Sequence, residues 1–287
     1  MARIPKGVGF VLPAVLLMII FFLIPLVSVL VSSFQKYEIL GANSWTGLKN
    51  YRMVLVSKEF WRALWNTLVY TIIVTPLIIL PAILLAVTLK HGTIGVKFLR
   101  AIYFIPYTIS FVAASYIWSW IYNDTYGVLN YLLHIAGILD RQVNWLGNTW
   151  SARIMISLMI SWKTMGFPIL ILLAGLSSIN KEVYEASAID GAGRSRVFFS
   201  ITLPLLRPTI FLVLVMSVAG SFKAFDHFFI MTSGGPMRTT ETIVMYINKV
   251  AFENYEMGQG SAISVLFLFL LLFVSYQQIR LGEYDRE

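Results

Sequence analysis

The sequence of 287 residues contains no cysteine, which excludes a disulfide framework, a thiol nucleophile and a cysteine-ligated metal site. Histidine is scarce as well, and its three copies, His91, His134 and His227, lie far apart along the chain. That separation argues against a histidine-rich metal site. Charged residues make up only 13% of the chain, whereas a soluble domain carries about 25%. The soluble globular class is therefore excluded.

Long hydrophobic blocks take the place of the missing charge. Hydrophobic residues account for 58% of the chain, and the mean hydropathy is +0.76. A membrane-spanning helix needs about 20 mostly apolar residues. The blocks that reach this length are residues 8–34, 63–89, 101–122, 154–176, 208–230 and 260–279. The sequence thus predicts an all-α membrane protein with six transmembrane helices. The first block is too long for the core of a cleaved signal peptide, so we expect it to be retained.

Lysine and arginine are distributed unevenly between the connecting pieces. They are denser in one set, residues 1–7, 90–100, 177–207 and 280–287, than in the opposite set, residues 35–62, 123–153 and 231–258. Because these residues accumulate on the cytoplasmic side of a membrane, both termini are predicted to be cytoplasmic. The formal net charge of +8 then indicates contact with the lipid bilayer surface and no nucleic-acid partner, since no soluble domain is left to bind one.

The longest predicted cytoplasmic loop, residues 177–204, contains a short helix. Asn180 is a favourable N-cap, and Glu182 falls in the first turn, where a carboxylate stabilises the positive end of the helix dipole. Gly191 and Gly193 then end the helix. A short, exposed helix with small side chains would allow the surface of another protein to approach closely.

The same loop carries a spaced motif that resembles a known signature. The motif is Glu185-Ala186-Ser187, three residues, Gly191, nine residues, and then Ile201-x-Leu203-Pro204. It is similar to the EAA signature of the permease subunits of binding-protein-dependent ABC importers, with a serine in place of the second alanine. The resemblance implies that the helix at 181–193 is a coupling helix that docks into a cleft on a cytoplasmic ATPase. The implied ATPase-coupling residues are Glu185, Ala186, Ser187, Asp190 and Gly191.

A second stretch narrows the resemblance. A Phe225-Asp226 pair precedes the turn Thr232-x-Gly234-Gly235-Pro236, which resembles the fifth core helix and outer loop of maltose-type sugar permeases. The similarity covers nearly the whole chain and implies the larger maltose permease-like half of a permease pair. The implied fold is a six-transmembrane-helix bundle of the type I ABC importer permease kind. Its predicted parts are residues 1–62 (first helix and outer loop), 63–280 (transmembrane core domain) and 281–287 (cytoplasmic tail).

Three charged side chains fall inside the predicted spans: Lys163 in the fourth, and Lys223 and Asp226 in the fifth. Ionisable groups are costly in a bilayer and mark candidate functional sites. Lys223 and Asp226 are three residues apart and can pair on one helical face. Alternatively, Lys163 forms a cross-helix salt bridge to Asp226 that only fixes packing. Either pairing leaves one lysine unpaired, and the functional hypothesis is a polar patch that lines a central cavity.

Aromatic residues near this patch favour a sugar, whose ring presents both C–H faces and hydroxyl groups. The family resemblance also implies substrate contacts on the matching stretches of the fourth and fifth spans. Together these arguments give the cavity candidates Lys163, Gly166, Phe167, Ser217, Gly220, Ser221, Phe222, Lys223, Ala224 and Asp226.

The resemblance implies a transport subunit and not an enzyme. The sequence has no Gly-rich phosphate loop followed by Lys and Ser or Thr, so no catalytic residue, metal or cofactor is predicted on this chain, and ATP and Mg²⁺ would bind to a separate ATPase. The implied partners are a second homologous permease, an ATPase dimer that binds the 181–193 helix, and an extracytoplasmic sugar-binding protein. The implied location is a bacterial or archaeal inner membrane.

The predicted function is therefore translocation of an oligosaccharide or disaccharide by alternating access, driven by the partner ATPase. Two alternatives remain open from the sequence. An ion-coupled secondary transporter would show inverted repeats and several intramembrane carboxylates, and Asp226 is the only carboxylate inside the predicted spans. An ABC permease for an anionic sugar or a sugar phosphate would use the excess lysine charge.

Overall fold

The computed structural model of the chain describes residues 8–37, 43–90 and 94–284. Parts of the predicted cytoplasmic ends, residues 1–7 and 285–287, lie outside these ranges. The α-helices in chain order are α1 (Val8–Met18), α2 (Ile24–Ser32), α3 (Lys49–Val56), α4 (Lys58–Thr88), α5 (Ile94–Thr108), α6 (Phe111–Ile121), α7 (Val128–Ile135), α8 (Thr149–Thr164), α9 (Gly166–Ser178), α10 (Lys181–Ile189), α11 (Arg194–Val197), α12 (Leu203–Leu205), α13 (Arg207–Phe222), α14 (Asp226–Thr232), α15 (Ile243–Asn248) and α16 (Met257–Tyr284). Short π-helical stretches occupy Ile19–Leu23, Phe198–Thr202 and Lys249–Glu253, and two short strands, β1 (Gln35–Lys36) and β2 (Ser44–Trp45), pair antiparallel.

The helices confirm the six predicted apolar segments. Three helices are long and apolar enough to cross a membrane alone, namely Phe10–Ser32, Lys58–Thr88 and Met257–Leu281. Three further segments are pairs of shorter helices joined at a sharp bend, Phe98–Thr108 with Phe111–Ile121, Thr149–Thr164 with Gly166–Ser178, and Arg194–Leu205 with Arg207–Phe222. Each bent pair meets the same criteria of length and composition as a single span.

The fifth segment differs from the prediction of one helix over 208–230. Helix α13 ends at Phe222, and a non-helical break of three residues separates it from α14, which begins at Asp226. The hydroxyl of Thr242 donates a hydrogen bond of 2.7 Å to the backbone oxygen of Ala224 in this break. A backbone group that loses its helical partner in a bilayer must be satisfied in this way. Hydropathy records only composition, so it located α13 but missed the break, and it missed the bent helical segment Arg194–Leu205 that precedes α13.

The described chain divides into two compact units. The first combines the residues up to Trp61 with Met245–Leu272. In this unit the amide of Asn50 donates a hydrogen bond of 2.9 Å to the backbone oxygen of Gln35 at the start of the β1–β2 pair. A Cβ on Gly258 would clash with the same oxygen, so glycine permits the close approach of α16 to the strands.

The second unit combines Arg62–Val244 with the chain from Phe273 onward. Its buried apolar cluster lies mainly on α4, α9 and α13 and comprises Ile79, Ala82, Ile83, Ala86, Leu89, Ile169, Leu172, Leu173, Leu176, Leu206 and Val213. Helices α9 and α13 cross closely at Gly175, where a Cβ would clash with the side chain of Thr209. Small residues at helix crossings allow such contacts in membrane proteins. This packing fixes the helices that form the walls of the cavity described below.

Two of the bends also position that cavity. The bend between α5 and α6 is 99°, and the bend between α8 and α9 is 50°. Helix α6 restarts at Ser110, whose hydroxyl accepts a hydrogen bond of 3.3 Å from the backbone N–H of Ala113 and so caps the new helix. As a result, Tyr107 at the end of α5, Phe111 at the start of α6 and Phe167 at the start of α9 line one cavity.

Candidate functional site

The second unit contains a cavity of about 410 Å³. Its walls are formed by α4, the α5–α6 bend, the α8–α9 bend, α13 and the break that follows α13. Apolar and aromatic side chains make up most of the lining, and a few hydroxyl, ionisable and imidazole groups interrupt it. A largely apolar concavity with a small number of polar groups is the usual form of a small-molecule site.

Stacked aromatic rings form one wall. The rings of Tyr107 and Phe167 stack with centroids 5.3 Å apart and planes inclined by 13°. Phe111 adds a third ring to the lining. Extended aromatic faces contact the C–H faces of a ring-shaped ligand while hydrogen-bonding groups nearby contact its polar edge.

Polar groups enter the lining at the break after α13. The side chain of Lys223 is exposed and that of Asp226 is half-buried, and both line the cavity. The predicted pairing on one helical face is wrong, because the helix ends at Phe222 and restarts at Asp226. Neither side chain forms an ion pair with another described residue. The cavity therefore presents one cationic and one anionic group separately.

A buried hydrogen bond joins α4 to α14 beside these charges. The Nε2 atom of His227 lies 3.2 Å from the hydroxyl oxygen of Tyr70, and both side chains are buried and contribute to the cavity wall. The hydroxyl of Ser221 donates a hydrogen bond of 3.0 Å to the hydroxyl oxygen of Thr71, the next residue of α4. These contacts fix the helices on either side of the break relative to α4.

Lys163 lies behind the aromatic wall and does not line the cavity. Its side chain is only 2% exposed, its Nζ atom lies 4.0 Å from the ring centroid of Phe111, and it donates a hydrogen bond of 3.4 Å to the backbone oxygen of Tyr107. The predicted salt bridge to Asp226 is not formed among the described residues. An aromatic face and a carbonyl at the end of α5 solvate the ammonium group in place of a carboxylate.

Two further candidates have packing roles instead of a place in the lining. Gly166 is buried at the α8–α9 bend, where a Cβ would lie 2.5 Å from the backbone oxygen of Tyr103. Phe222 is buried at the end of α13. Close packing between helices therefore excludes a side chain at Gly166 and encloses the ring of Phe222.

The cavity wall contains seven of the ten predicted candidates, Phe167, Ser217, Gly220, Ser221, Lys223, Ala224 and Asp226. Other lining residues were not among the candidates, and they include Tyr70, Tyr107, Phe111 and His227. The sequence could have indicated His227 as a candidate, because it is a titratable side chain inside an apolar span next to Asp226. The sequence could not have indicated the three aromatic residues, because an aromatic ring in a span faces lipid as readily as a cavity.

The predicted coupling helix is α10, which follows the apolar core of α9. The side chain of Asn180 caps it by accepting a hydrogen bond of 3.2 Å from the backbone N–H of Glu182. Gly191 follows the C-cap with φ of +70°, a left-handed conformation that favours glycine. Glu185, Ala186, Asp190 and Gly191 are exposed, whereas Ser187 is buried.

Among the described ranges, 8–37, 43–90 and 94–284, no group of three or more His, Asp or Glu side chains is arranged to hold a metal ion.

Comparison with known proteins identifies the family. Residues 8–280 match the family model described as binding-protein-dependent transport system inner membrane component. The chain is 33% identical to the trehalose/maltose transport system permease protein MalF of Thermococcus litoralis, over 98% of this chain and 95% of that protein. It is 35% identical to the arabinooligosaccharides transport system permease protein AraP of Bacillus subtilis, over 95% of this chain and 87% of that protein.

A solved structure shows the same fold. A chain in the crystal structure of a bacterial alginate ABC transporter, in complex with an alginate pentasaccharide-bound periplasmic protein, superposes with a TM-score of 0.81. The two chains share 23% identity over 94% of this chain and 91% of the other. This similarity confirms the predicted six-helix, type I importer fold. The chain belongs to the binding-protein-dependent transport system inner membrane components, as a multi-pass permease subunit of an ABC importer and not an enzyme.

Proposed function

We propose that this permease translocates a neutral oligosaccharide or disaccharide through the cavity of the second unit. The observation that carries the proposal is that the stacked Tyr107–Phe167 wall lines the same cavity as hydroxyl and ionisable groups of α13 and the following break. Sugar recognition needs both features, because the ring has apolar C–H faces and a polar rim. Two relatives are named for trehalose/maltose and for arabinooligosaccharides, which are neutral sugars. Two other matches are named for anionic sugars, sulfoquinovosyl glycerol and alginate, so the neutral cargo is argued from the cavity.

The charge of the cavity favours a neutral cargo. Lys223 and Asp226 contribute opposite charges to the lining. The second lysine of the region, Lys163, is separated from the cavity by the Phe111 ring and the end of α5. A cargo in the cavity therefore contacts one positive and one negative group, which suits hydroxyl groups better than a carboxylate or phosphate.

Transport requires partners, and α10 is the proposed site for one of them. The segment 181–193, which comprises α10 and the turn after it, would dock on an ATPase dimer through Glu185, Ala186, Ser187, Asp190 and Gly191. One chain offers one such helix, whereas a dimer has two docking clefts, so a second homologous permease would supply the other. ATP and Mg²⁺ would bind to the ATPase, and this chain would hold no cofactor. An extracytoplasmic sugar-binding protein would deliver the cargo on the face opposite α10, with both termini cytoplasmic in a bacterial or archaeal inner membrane.

The test is uptake by the complete importer reconstituted in proteoliposomes with its binding protein. Neutral and uronate-containing oligosaccharides are offered separately, with and without ATP. We expect ATP-dependent uptake of the neutral sugars. Phe167→Leu should raise the sugar concentration for half-maximal uptake by about fivefold, since an aromatic contact is worth about 1 kcal/mol. Phe269→Leu, on the exposed face of α16, is the matched control and should leave it unchanged.

The anionic alternative makes the opposite prediction in the same assay. If an acidic sugar or sugar phosphate is the cargo, Lys163→Met or Lys223→Met should lower its uptake more than that of any neutral sugar. Selective uptake of the anionic panel by wild type, lost in either variant, would overturn the neutral proposal. Equal uptake by both variants and wild type would show that neither lysine selects the cargo.

A further inference from the structure

One side chain of α10 connects this exposed helix to two membrane segments. Lys90, two residues beyond the end of α4, places its Nζ atom 3.5 Å from the ring centroid of Tyr184. This is well inside the distance at which an ammonium group is attracted to an aromatic face. Tyr184 is half-buried at the middle of α10, so the contact joins the centre of this helix to the end of α4.

The hydroxyl of the same tyrosine reaches a different segment. Its oxygen lies 3.3 Å from the hydroxyl oxygen of Thr202, at hydrogen-bond distance. Thr202 is buried in the π-helical stretch Phe198–Thr202 that leads into α12 and α13. Tyr184 therefore contacts the end of one segment through its ring face and the beginning of another through its hydroxyl.

The end of α4 is a firm anchor for this contact. The guanidinium group of Arg100 on α5 donates hydrogen bonds to the backbone oxygen of Leu89 at 2.5 and 3.2 Å and to that of Lys90 at 3.4 Å. A cation that binds the last carbonyls of a helix stabilises its C-terminus. Leu89 itself is buried in the apolar cluster of the second unit. The Tyr184–Lys90 contact thus joins α10 to the C-terminal end of α4, which is held by the Arg100 hydrogen bonds and by the packing of Leu89.

The remaining side chains of α10 are arranged differently. Glu185 and Asp190 are exposed, and Ile189 is 86% exposed. Ser187 is buried, but its hydroxyl donates a hydrogen bond of 2.7 Å to the backbone oxygen of Tyr184 and so acts within the helix. Tyr184 is therefore the residue through which hydrogen-bond and cation–π contacts of α10 reach other segments of the described chain.

We infer that Tyr184 is a positioning residue that, with Lys90 and Thr202, makes α10 move together with α4 and α13. Both of those helices line the cavity, α4 at Tyr70 and α13 at Ser217. A displacement of α10 by a bound ATPase then reaches two walls of the transport pathway. It reaches α4 through Lys90, and it reaches α13 through Thr202 and the 66° bend before Arg207. The inference rests on the proposed docking of an ATPase on α10. It adds the residue that converts docking into rearrangement of the cavity.

The functional test measures sugar molecules imported per ATP hydrolysed by the reconstituted importer. Tyr184→Leu removes the ring face and the hydroxyl, and we expect this ratio to fall about tenfold. Lys90→Met keeps the side-chain length and loses the charge, and Tyr184→Phe keeps the ring and loses the hydroxyl. Each of these should lower the ratio about threefold. Lys90→Met should have little further effect when Tyr184 is already leucine, because the two side chains act on one contact.

Matched controls separate this role from general damage. Lys58→Met removes an exposed lysine at the opposite end of α4, and Tyr276→Leu removes an exposed tyrosine on α16. Both should keep the wild-type ratio. All variants should retain the ATPase on purification. A wild-type ratio in Tyr184→Leu and Lys90→Met overturns the inference, and so does loss of the ATPase from Tyr184→Leu, which would assign the residue to docking.

A second measurement does not depend on the cargo. The chain has no cysteine, so Ile72→Cys on α4 and Lys181→Cys on α10 can carry spin labels in the complex with cysteine-free partners. We expect the distance between the labels to stay the same on ATP addition, and to change or broaden in the Tyr184→Leu background. The same response with and without Tyr184 overturns the inference. If no sugar is imported by wild type, the proposed cargo is wrong, but this distance measurement still tests the positioning role.

Discussion

Two short segments of the second unit, residues 233–242 and helix α10, are built on opposite principles. Distant side chains hold residues 233–242. Arg153 donates hydrogen bonds of 2.9 Å to the backbone oxygen of Thr239 and 2.7 Å to the side-chain oxygen of Asn66, and the amide of Asn66 donates one of 3.0 Å to the backbone oxygen of Glu241. Local signals shape α10, which begins at an Asn180 cap and ends before Gly191.

Burial follows the same division. In the first segment Thr240, Glu241 and Thr242 are buried, while Met237 at the tip is 91% exposed. In α10 most side chains are exposed. A loop with buried polar backbone must have its hydrogen bonds supplied from elsewhere. An exposed helix satisfies its own backbone and leaves its side chains available to a partner. Residues 233–242 are thus held in place by distant parts of the chain, whereas α10 presents exposed side chains, as its proposed docking role requires.

Among the variants that test this difference, Arg153→Met should cause the largest loss of stability. The change removes a charged hydrogen-bond donor, so the buried oxygens of Thr239 and Asn66 lose their bonds to Arg153. We expect the free energy of unfolding to fall by about 3 kcal/mol. We expect a clearly lower unfolding temperature of the purified complex, followed by tryptophan fluorescence. Arg141→Met, at an exposed arginine, is the control. Equal shifts in the two variants would contradict a structural role for the Arg153 contacts.

Asn66→Ala should have a smaller effect, about 2 kcal/mol, because the lost donors are uncharged. The cost of Asn66→Ala and Arg153→Met together should be less than the sum of the two, since they share a hydrogen bond. The measurement is the same thermal unfolding, with exposed Asn254→Ala as the control. Strict additivity would indicate that the two side chains hold residues 233–242 independently.

On the α10 side, Gly191→Val should cost about 1–2 kcal/mol through backbone strain, because φ at this position is +70°. A Cβ there has no neighbour within 4 Å, so crowding within the chain contributes nothing. Gly191→Asn tolerates the left-handed conformation and should be nearly neutral in unfolding. Comparing the two variants in ATPase stimulation separates strain from contact with a partner. If asparagine abolishes stimulation as fully as valine, the glycine is needed for close approach.

The smallest effect on stability should come from Ile189→Ser, within about 0.5 kcal/mol, because the side chain is exposed. The same change should weaken the retention of the ATPase, measured by copurification, if α10 is the docking surface. Ile138→Ser, at another exposed isoleucine, should affect neither property. Unchanged retention in Ile189→Ser would place the apolar part of the contact elsewhere on the chain.

The regions that could be predicted from the sequence are those whose physics is local. Six long apolar blocks follow from the cost of placing polar groups in lipid, and the structure confirms them. The cap at Asn180 and the left-handed Gly191 depend on their immediate neighbours. Helix α10 begins at Lys181 as predicted, but it ends at Ile189, four residues before the predicted end at 193. The role of this helix in coupling remains a prediction.

The cavity, in contrast, depends on contacts between residues that are distant in the chain. Hydropathy found the fourth and fifth spans but could not predict that the fifth breaks at Lys223, because the break is stabilised by Thr242 from a later part of the chain. The predicted Lys223–Asp226 pair failed for that reason. The ammonium group of Lys163 is accommodated by Tyr107 and Phe111, at a bend in another segment.

The sequence by itself thus determined the class of protein, the number of apolar segments and the position of the exposed α10 helix, since each depends on composition or on neighbours a few residues apart. Only the tertiary structure decided which charged side chains face the cavity, which aromatic rings form its wall, and how residues 233–242 are held. These features depend on contacts between residues 66, 153 and 239, or 107 and 167, that are distant in the chain. Such contacts exist only after the helices have packed, and no local pattern encodes them.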